Sequence, residues 1–94
     1  MAEEEFRRAP RDSMFLFASL RLENQEGEQS IKIRNLSSTG LMAEGDVYVR
    51  PGAQVAINIR NIGWVNGGVA WAVEKRFGVM LDDVIDPRKA RTMV

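Results

Sequence analysis

The run Met14-Phe15-Leu16-Phe17-Ala18-Ser19-Leu20-Arg21-Leu22 alternates with a period of two, and its reading decides the fold class. Met14, Leu16, Ala18, Leu20 and Leu22 fall on one face, while Phe15, Phe17, Ser19 and Arg21 fall on the other. Successive side chains of a strand point to opposite sides, so this run is a strand, and an unusually apolar one on both faces. Beyond it, residues 24–29 are polar and include Gly27, as a hairpin loop requires. Ile31, Ile33 and Asn35 then alternate with Lys32 and Arg34, which predicts a second strand with one solvated face. Ser37-Ser38-Thr39-Gly40 interrupts it with turn-forming residues, and residues 41–44 are short and strand-like. After Arg50-Pro51-Gly52, Val55, Ile57 and Ile59 alternate with Gln54, Ala56 and Asn58. A turn at residues 61–63 follows. Val65, Val69, Trp71 and Val73 carry the pattern across Gly67-Gly68, a pair expected to bend or bulge the strand. Phe77, Val79 and Leu81 make the last strand; Trp71 and Phe77 are both expected in the core, because each lies on an alternating apolar face. Asp86-Pro87 then reads as an N-cap and first helical residue, followed by Arg88-Lys89-Ala90-Arg91. Six short strands and one short C-terminal helix predict an all-β fold, a small six-stranded antiparallel barrel.

Upstream of the first strand, residues 1–12 show no periodicity and contain Pro10, so they are expected to form a flexible N-terminal arm. The remainder, residues 13–94, is the expected barrel with its C-terminal helix. A chain of 94 residues has room for one domain. It contains neither Cys nor His, which excludes disulfides, thiol nucleophiles, zinc-thiolate sites and the commonest general base. No apolar run is long enough to span a bilayer, and Glu3-Glu4-Glu5 is not the start of a signal peptide; the expectation is a cytoplasmic protein without membrane insertion.

Thirteen basic and thirteen acidic residues give a formal net charge of zero, which argues against a DNA or RNA binder held by a broad basic face. The distribution matters more than the sum. Arg7, Arg8 and Arg11 lie within five residues, directly after the three glutamates. A local cationic site in a neutral protein suits a small anion better than a long polyanion.

Arg7-Arg8-Ala9-Pro10-Arg11 reads as RxxxR, and Asn35-Leu36-Ser37-Ser38-Thr39-Gly40 as (D/N)xSxxG. Either stretch alone has a plain explanation, a solvated charge run or a good turn; the two together, flanking the first strand, are much more specific. The pair resembles the signature of PilZ domains. Val69-Ala70-Trp71 followed by Gly78-Val79-Met80-Leu81 is similar to a late strand pair of the same family, so the resemblance covers roughly residues 6–83. It implies a PilZ-type barrel that binds the bacterial second messenger cyclic di-GMP through Arg7, Arg8 and Arg11 on the arm and Asn35, Ser37 and Gly40 on the barrel. The chemistry is consistent with that ligand. An arginine fork matches guanine O6 and N7 with two parallel hydrogen bonds, and its plane stacks on a purine. Asn35 offers donor and acceptor atoms to a guanine edge, and Ser37 a hydroxyl of either polarity. Gly40 permits a positive φ and close backbone approach. Asn35 stands where the family more often has Asp, which removes a charged acceptor.

The resulting expectation is a cyclic di-GMP receptor, with no other cofactor and no metal, that passes the second-messenger level to an effector protein by ordering its arm. It is expected to be a monomer or weak homodimer. The alternative is a PilZ-like interaction adaptor that does not bind nucleotide. A small nucleic-acid-binding barrel is disfavoured by the neutral charge and by the shortage of solvent-face aromatics, with Trp64 the main candidate. An enzyme is the least expected outcome: Asp82-Asp83 is more simply a loop than a carboxylate pair.

Overall fold

The computed structural model of the chain describes residues 16–91. Within that span the strands are β1 (Leu16–Leu22), β2 (Gln29–Leu36), β3 (Gly40–Glu44), β4 (Gln54–Ile59), β5 (Gly63–Val73) and β6 (Arg76–Leu81), followed by the short helix α1 (Arg88–Arg91). The strands close into a barrel in the order β1-β2-β3-β6-β5-β4, antiparallel at every seam. Closure leaves no unpaired sheet edge.

The period-two pattern explains why this arrangement is stable. Leu16 and Leu20 of β1, Ile31 and Ile33 of β2, Val55, Ile57 and Ile59 of β4, and Phe77, Val79 and Leu81 of β6 all point inward and are buried. Phe77, only 1 % exposed, is the largest fully buried side chain. No charged or polar side chain joins this core among the described residues. Truncating a buried Leu, Ile or Phe in such a core typically costs about 2–5 kcal/mol, because the cavity it leaves cannot fully collapse.

Two bulges interrupt the alternation, and both re-aim side chains. In the β2–β3 pairing Ile33 faces Ala43 and Asn35 faces Met42, leaving Arg34 as the extra residue. In the β5–β6 pairing Val69 faces Val79 and Trp71 faces Gly78, leaving Ala70 extra. The expected irregularity in β5 is therefore real but lies beyond the glycine pair. Gly67 and Gly68 stay in the ladder, and Gly67 is needed for space: a Cβ there would stand 2.5 Å from the Met80 carbonyl oxygen.

The C-terminal segment is sewn to the barrel. Asp82 N–H donates to Asn66 O at 2.9 Å and Ile85 N–H to Ser38 O at 3.0 Å. Asp86 caps α1 as the sequence predicts, its Oδ1 accepting from Arg88 N–H at 3.1 Å. Hydrogen bonds from the Arg88 guanidinium and backbone hold the Asp86 carboxyl below its ordinary value of 3.8. Asn61 Nδ2 donates to Lys89 O at 3.1 Å, and Ala90 is buried in the core cluster, so α1 is fastened at two points.

Candidate functional site

The Asn35–Gly40 stretch forms the junction from β2 into β3. Ser37 organises it. Its N–H donates to Gly40 O at 2.8 Å, and its Oγ donates to the same oxygen at 3.1 Å. The same Oγ accepts from Gly40 N–H at 3.1 Å and from Thr39 N–H at 3.3 Å. A serine hydroxyl has one proton to give and two lone pairs, and all three are used inside this turn. Ser37 thus shapes the junction; it does not present a spare hydroxyl. The turn is also held from outside, since Thr39 O accepts from Leu81 N–H at 2.9 Å and Ser38 O accepts from Ile85.

Gly40 is explained differently from the expectation of a positive φ. Its φ is not in the left-handed region, which among the described glycines is occupied by Gly27, Gly52 and Gly63. What Gly40 provides is proximity: a Cβ at this position would lie 2.8 Å from the Val79 carbonyl oxygen of β6. Only the missing side chain lets the turn sit this close to its neighbour strand.

Asn35 lies on the outside of the barrel. Strict alternation would place it on the same face as Ile31 and Ile33, but the bulge at Arg34 turns the chain so that Arg34 and Asn35 are both exposed. Arg34 pairs with Glu44 across the seam. The Asn35 side-chain amide has no hydrogen-bond partner among the described residues, which leaves its donor and acceptor available on a rigid support.

The register extends this position into a lateral row. Asn35 faces Met42, Met42 faces Gly78, and Gly78 faces Trp71. Three strand spacings separate the ends of the row, about 14 Å. Trp71 is 41 % exposed, not a core residue, because the Ala70 bulge carries it to the outer face. Its indole covers Gly78 so closely that a Cβ on that glycine would fall 2.6 Å from Trp71 Cε2. The result is an aromatic ring laid over the bare backbone of β6 at one end of the row, with a free carboxamide at the other. Sequence reasoning missed Trp71 as a surface feature. Its signal was the glycine that faces it: an apolar strand that sets Gly opposite Trp leaves room for a ring outside.

Arg7, Arg8 and Arg11 lie outside the described residues. Of the predicted site, the barrel half (Asn35, Ser37 and Gly40) is brought together in one junction, and Leu16, where the chain enters β1, faces Ile33 beside it. The other exposed aromatics, Phe17, Tyr48 and Trp64, are not in this row. Trp64 on β5 carries the Arg21 guanidinium 4.6 Å from its ring centroid, and Phe17 on β1 is largely exposed. Asp82 and Asp83 are exposed and lie in the bend after β6, as a loop reading requires. Among the described residues no group of His, Cys, Asp or Glu is arranged to hold a metal ion, and no helix is long and apolar enough to cross a membrane.

No curated protein and no solved structure gives a significant match to this chain. The family model of the PilZ domain matches residues 5–94, almost the whole chain. That match agrees with the closed six-stranded barrel, and the chain belongs to the PilZ domain family.

Proposed function

We propose that this protein is a cytoplasmic receptor for cyclic di-GMP that reports the ligand to an effector protein. PilZ domains are a cyclic di-GMP-binding family, which supports the ligand class. The observation that carries the reading for this chain is the row Asn35–Met42–Gly78–Trp71, which sets a free carboxamide and a flat aromatic face on one rigid wall. The carboxamide complements a guanine edge, and the ring offers a stacking surface worth about 1–3 kcal/mol per base. Ser37 and Gly40 act by positioning: one fixes the turn and the other lets it lie against β6. Arg7, Arg8 and Arg11 supply charge and forked donors for phosphate and guanine O6/N7. In this reading, binding fixes the arm over the wall, and an effector reads the change; the domain itself is a binding module and performs no chemistry.

Isothermal titration calorimetry with cyclic di-GMP, cyclic di-AMP, GTP and GMP tests the proposal. Cyclic di-GMP should bind well above the others, because the adenine 6-position is a donor where guanine has an acceptor. Equal affinity for cyclic di-AMP would remove the guanine assignment, and absence of binding to every nucleotide would leave the interaction-adaptor role.

A further inference from the structure

We infer that Arg76 is an additional ligand-binding residue, a phosphodiester contact that extends the site along β6 beyond the signature motifs. The inference rests on the cyclic di-GMP reading above and adds to it a residue that neither motif contains.

Arg76 opens β6 and is exposed on the same outer wall as the Asn35–Trp71 row. It faces Glu44 on one side and Val73 on the other, so it belongs to the next outward row, two residues from Gly78. Two residues along a strand amount to about 7 Å. Trp71 and Arg76 line one open groove with Glu44, Val73, Glu74 and Lys75. A planar base resting on the Trp71 indole therefore has its sugar and phosphate within reach of the Arg76 side chain.

The charges favour an anion at that end. Glu44, the acid directly opposite Arg76, is paired with Arg34 from the bulge. Arg76 has no hydrogen-bond or ion-pair partner among the described residues, and Lys75 stands beside it at the tip of the β5–β6 turn. The acid that would otherwise hold Arg76 is thus engaged by another cation, and the guanidinium is left open. Glu74 is the remaining acid in the groove, at a turn position with φ of 56°. A phosphodiester fits this balance better than a guanine edge: it brings the negative charge that an open guanidinium lacks, and Arg meets two phosphate oxygens with its fork.

The test is calorimetric titration of the full chain with cyclic di-GMP and cyclic di-AMP, comparing wild type, Arg76→Ala, Arg76→Lys and Arg60→Ala. Arg60 is an exposed arginine at the end of β4 that does not line the groove, so its variant measures the effect of losing a charge elsewhere. Arg76→Ala should weaken cyclic di-GMP binding roughly 10-fold, the lower end for a charge-assisted hydrogen bond, because the site is open to water. Arg76→Lys should recover part of the loss, Arg60→Ala should change affinity less than twofold, and all variants should melt with the wild type. The preference for guanine over adenine should be unchanged in Arg76→Ala, since a phosphate contact carries no base information. If wild type binds and Arg76→Ala binds equally well, the inference is overturned while the receptor reading stands. A collapse of guanine preference in Arg76→Ala would replace the phosphate contact by a base contact. A wild type that binds no cyclic di-GMP overturns both.

Discussion

Replacing Gly78 by alanine forces a choice between a new methyl group and the Trp71 indole. The added Cβ would stand 2.6 Å from Trp71 Cε2, closer than real carbon atoms approach, and the backbone beneath it is tied to β3 and β5. The ring is the part free to leave. At 41 % exposure the indole is somewhat more than half covered. Lifting it off exposes about 100 Å² of apolar surface, and about 25 cal/mol per Å² makes that about 2.5 kcal/mol. For a domain of this size each kcal/mol shifts Tm by about 4–8 °C, so the melting point should fall by roughly 10–20 °C. Circular dichroism gives the melt. Trp fluorescence in a Trp64→Phe background reports Trp71 alone and should shift to the red. The decisive comparison is a double-mutant cycle with Trp71→Ala. Once the ring is gone, the three nearest atoms that the methyl group met are gone with it, and Gly78→Ala should cost less than about 0.5 kcal/mol. Additive effects, with Gly78→Ala equally costly in both backgrounds, would refute the contact and with it the placement of Trp71 on the outer wall.

The residues of the proposed site separate in the same way into those expected to hold structure and those expected to touch ligand. Asn35→Ala should leave Tm within about 2 °C, since its amide has no partner, while weakening cyclic di-GMP binding several-fold by calorimetry. Ser37→Ala should cost about 1–2 kcal/mol in urea unfolding, because Thr39 and Gly40 lose the hydroxyl that they bond; an unchanged stability would make the serine a ligand contact and not a turn residue. Gly40→Ala should be costlier than Ser37→Ala, since the new methyl meets a backbone oxygen and not a movable side chain. The Asp86 cap gives a pH dependence. Its folded-state carboxyl lies below 3.8, so the support it gives α1 is complete above that value and is lost as pH falls through the lower folded value; amide shifts of Arg88 and Lys89 followed by NMR should show this loss only in strongly acidic solution.

The fold was legible because the strands without a bulge kept their period throughout and the bulged ones kept it on either side of the bulge. Val55, Ile57 and Ile59, and again Phe77, Val79 and Leu81, alternate without exception and are buried without exception. The cap at Asp86-Pro87 was readable for a similar reason, since side chain and backbone needs coincide within three residues. What alternation could not give was the orientation of Asn35 and Trp71. Both lie just beyond a bulge, and one extra residue reverses the side to which every later side chain points. The two residues on which the proposed site draws most are therefore the two for which a regular period predicts the wrong face. Of the two reasons expected for Gly40, close backbone approach holds and a positive φ does not; that the approach is to β6 is something the NxSxxG stretch alone does not reveal.

The wall by itself offers a ligand rather little, and that constrains how a signal could arise. Ser37 has spent its hydroxyl, Arg34 is paired with Glu44, and the junction's backbone groups are bonded to β6 and the segment beyond it. What the proposed site keeps is one carboxamide, one ring face and the Arg76 guanidinium with Lys75 beside it, few groups for a dianion with two guanines. In the proposed receptor the three arginines at residues 7–11 supply the remaining contacts. The proposed reading has the ligand fix those five residues, at a cost on the order of 5–10 kcal/mol of backbone entropy. Charge-assisted hydrogen bonds from three arginines return about 5–9 kcal/mol. The two quantities nearly cancel, so on that reading the arm closes only when the wall adds its own stacking and amide contacts to the same ligand. On the proposed receptor reading, that near balance lets the ligand decide whether the arm is fixed.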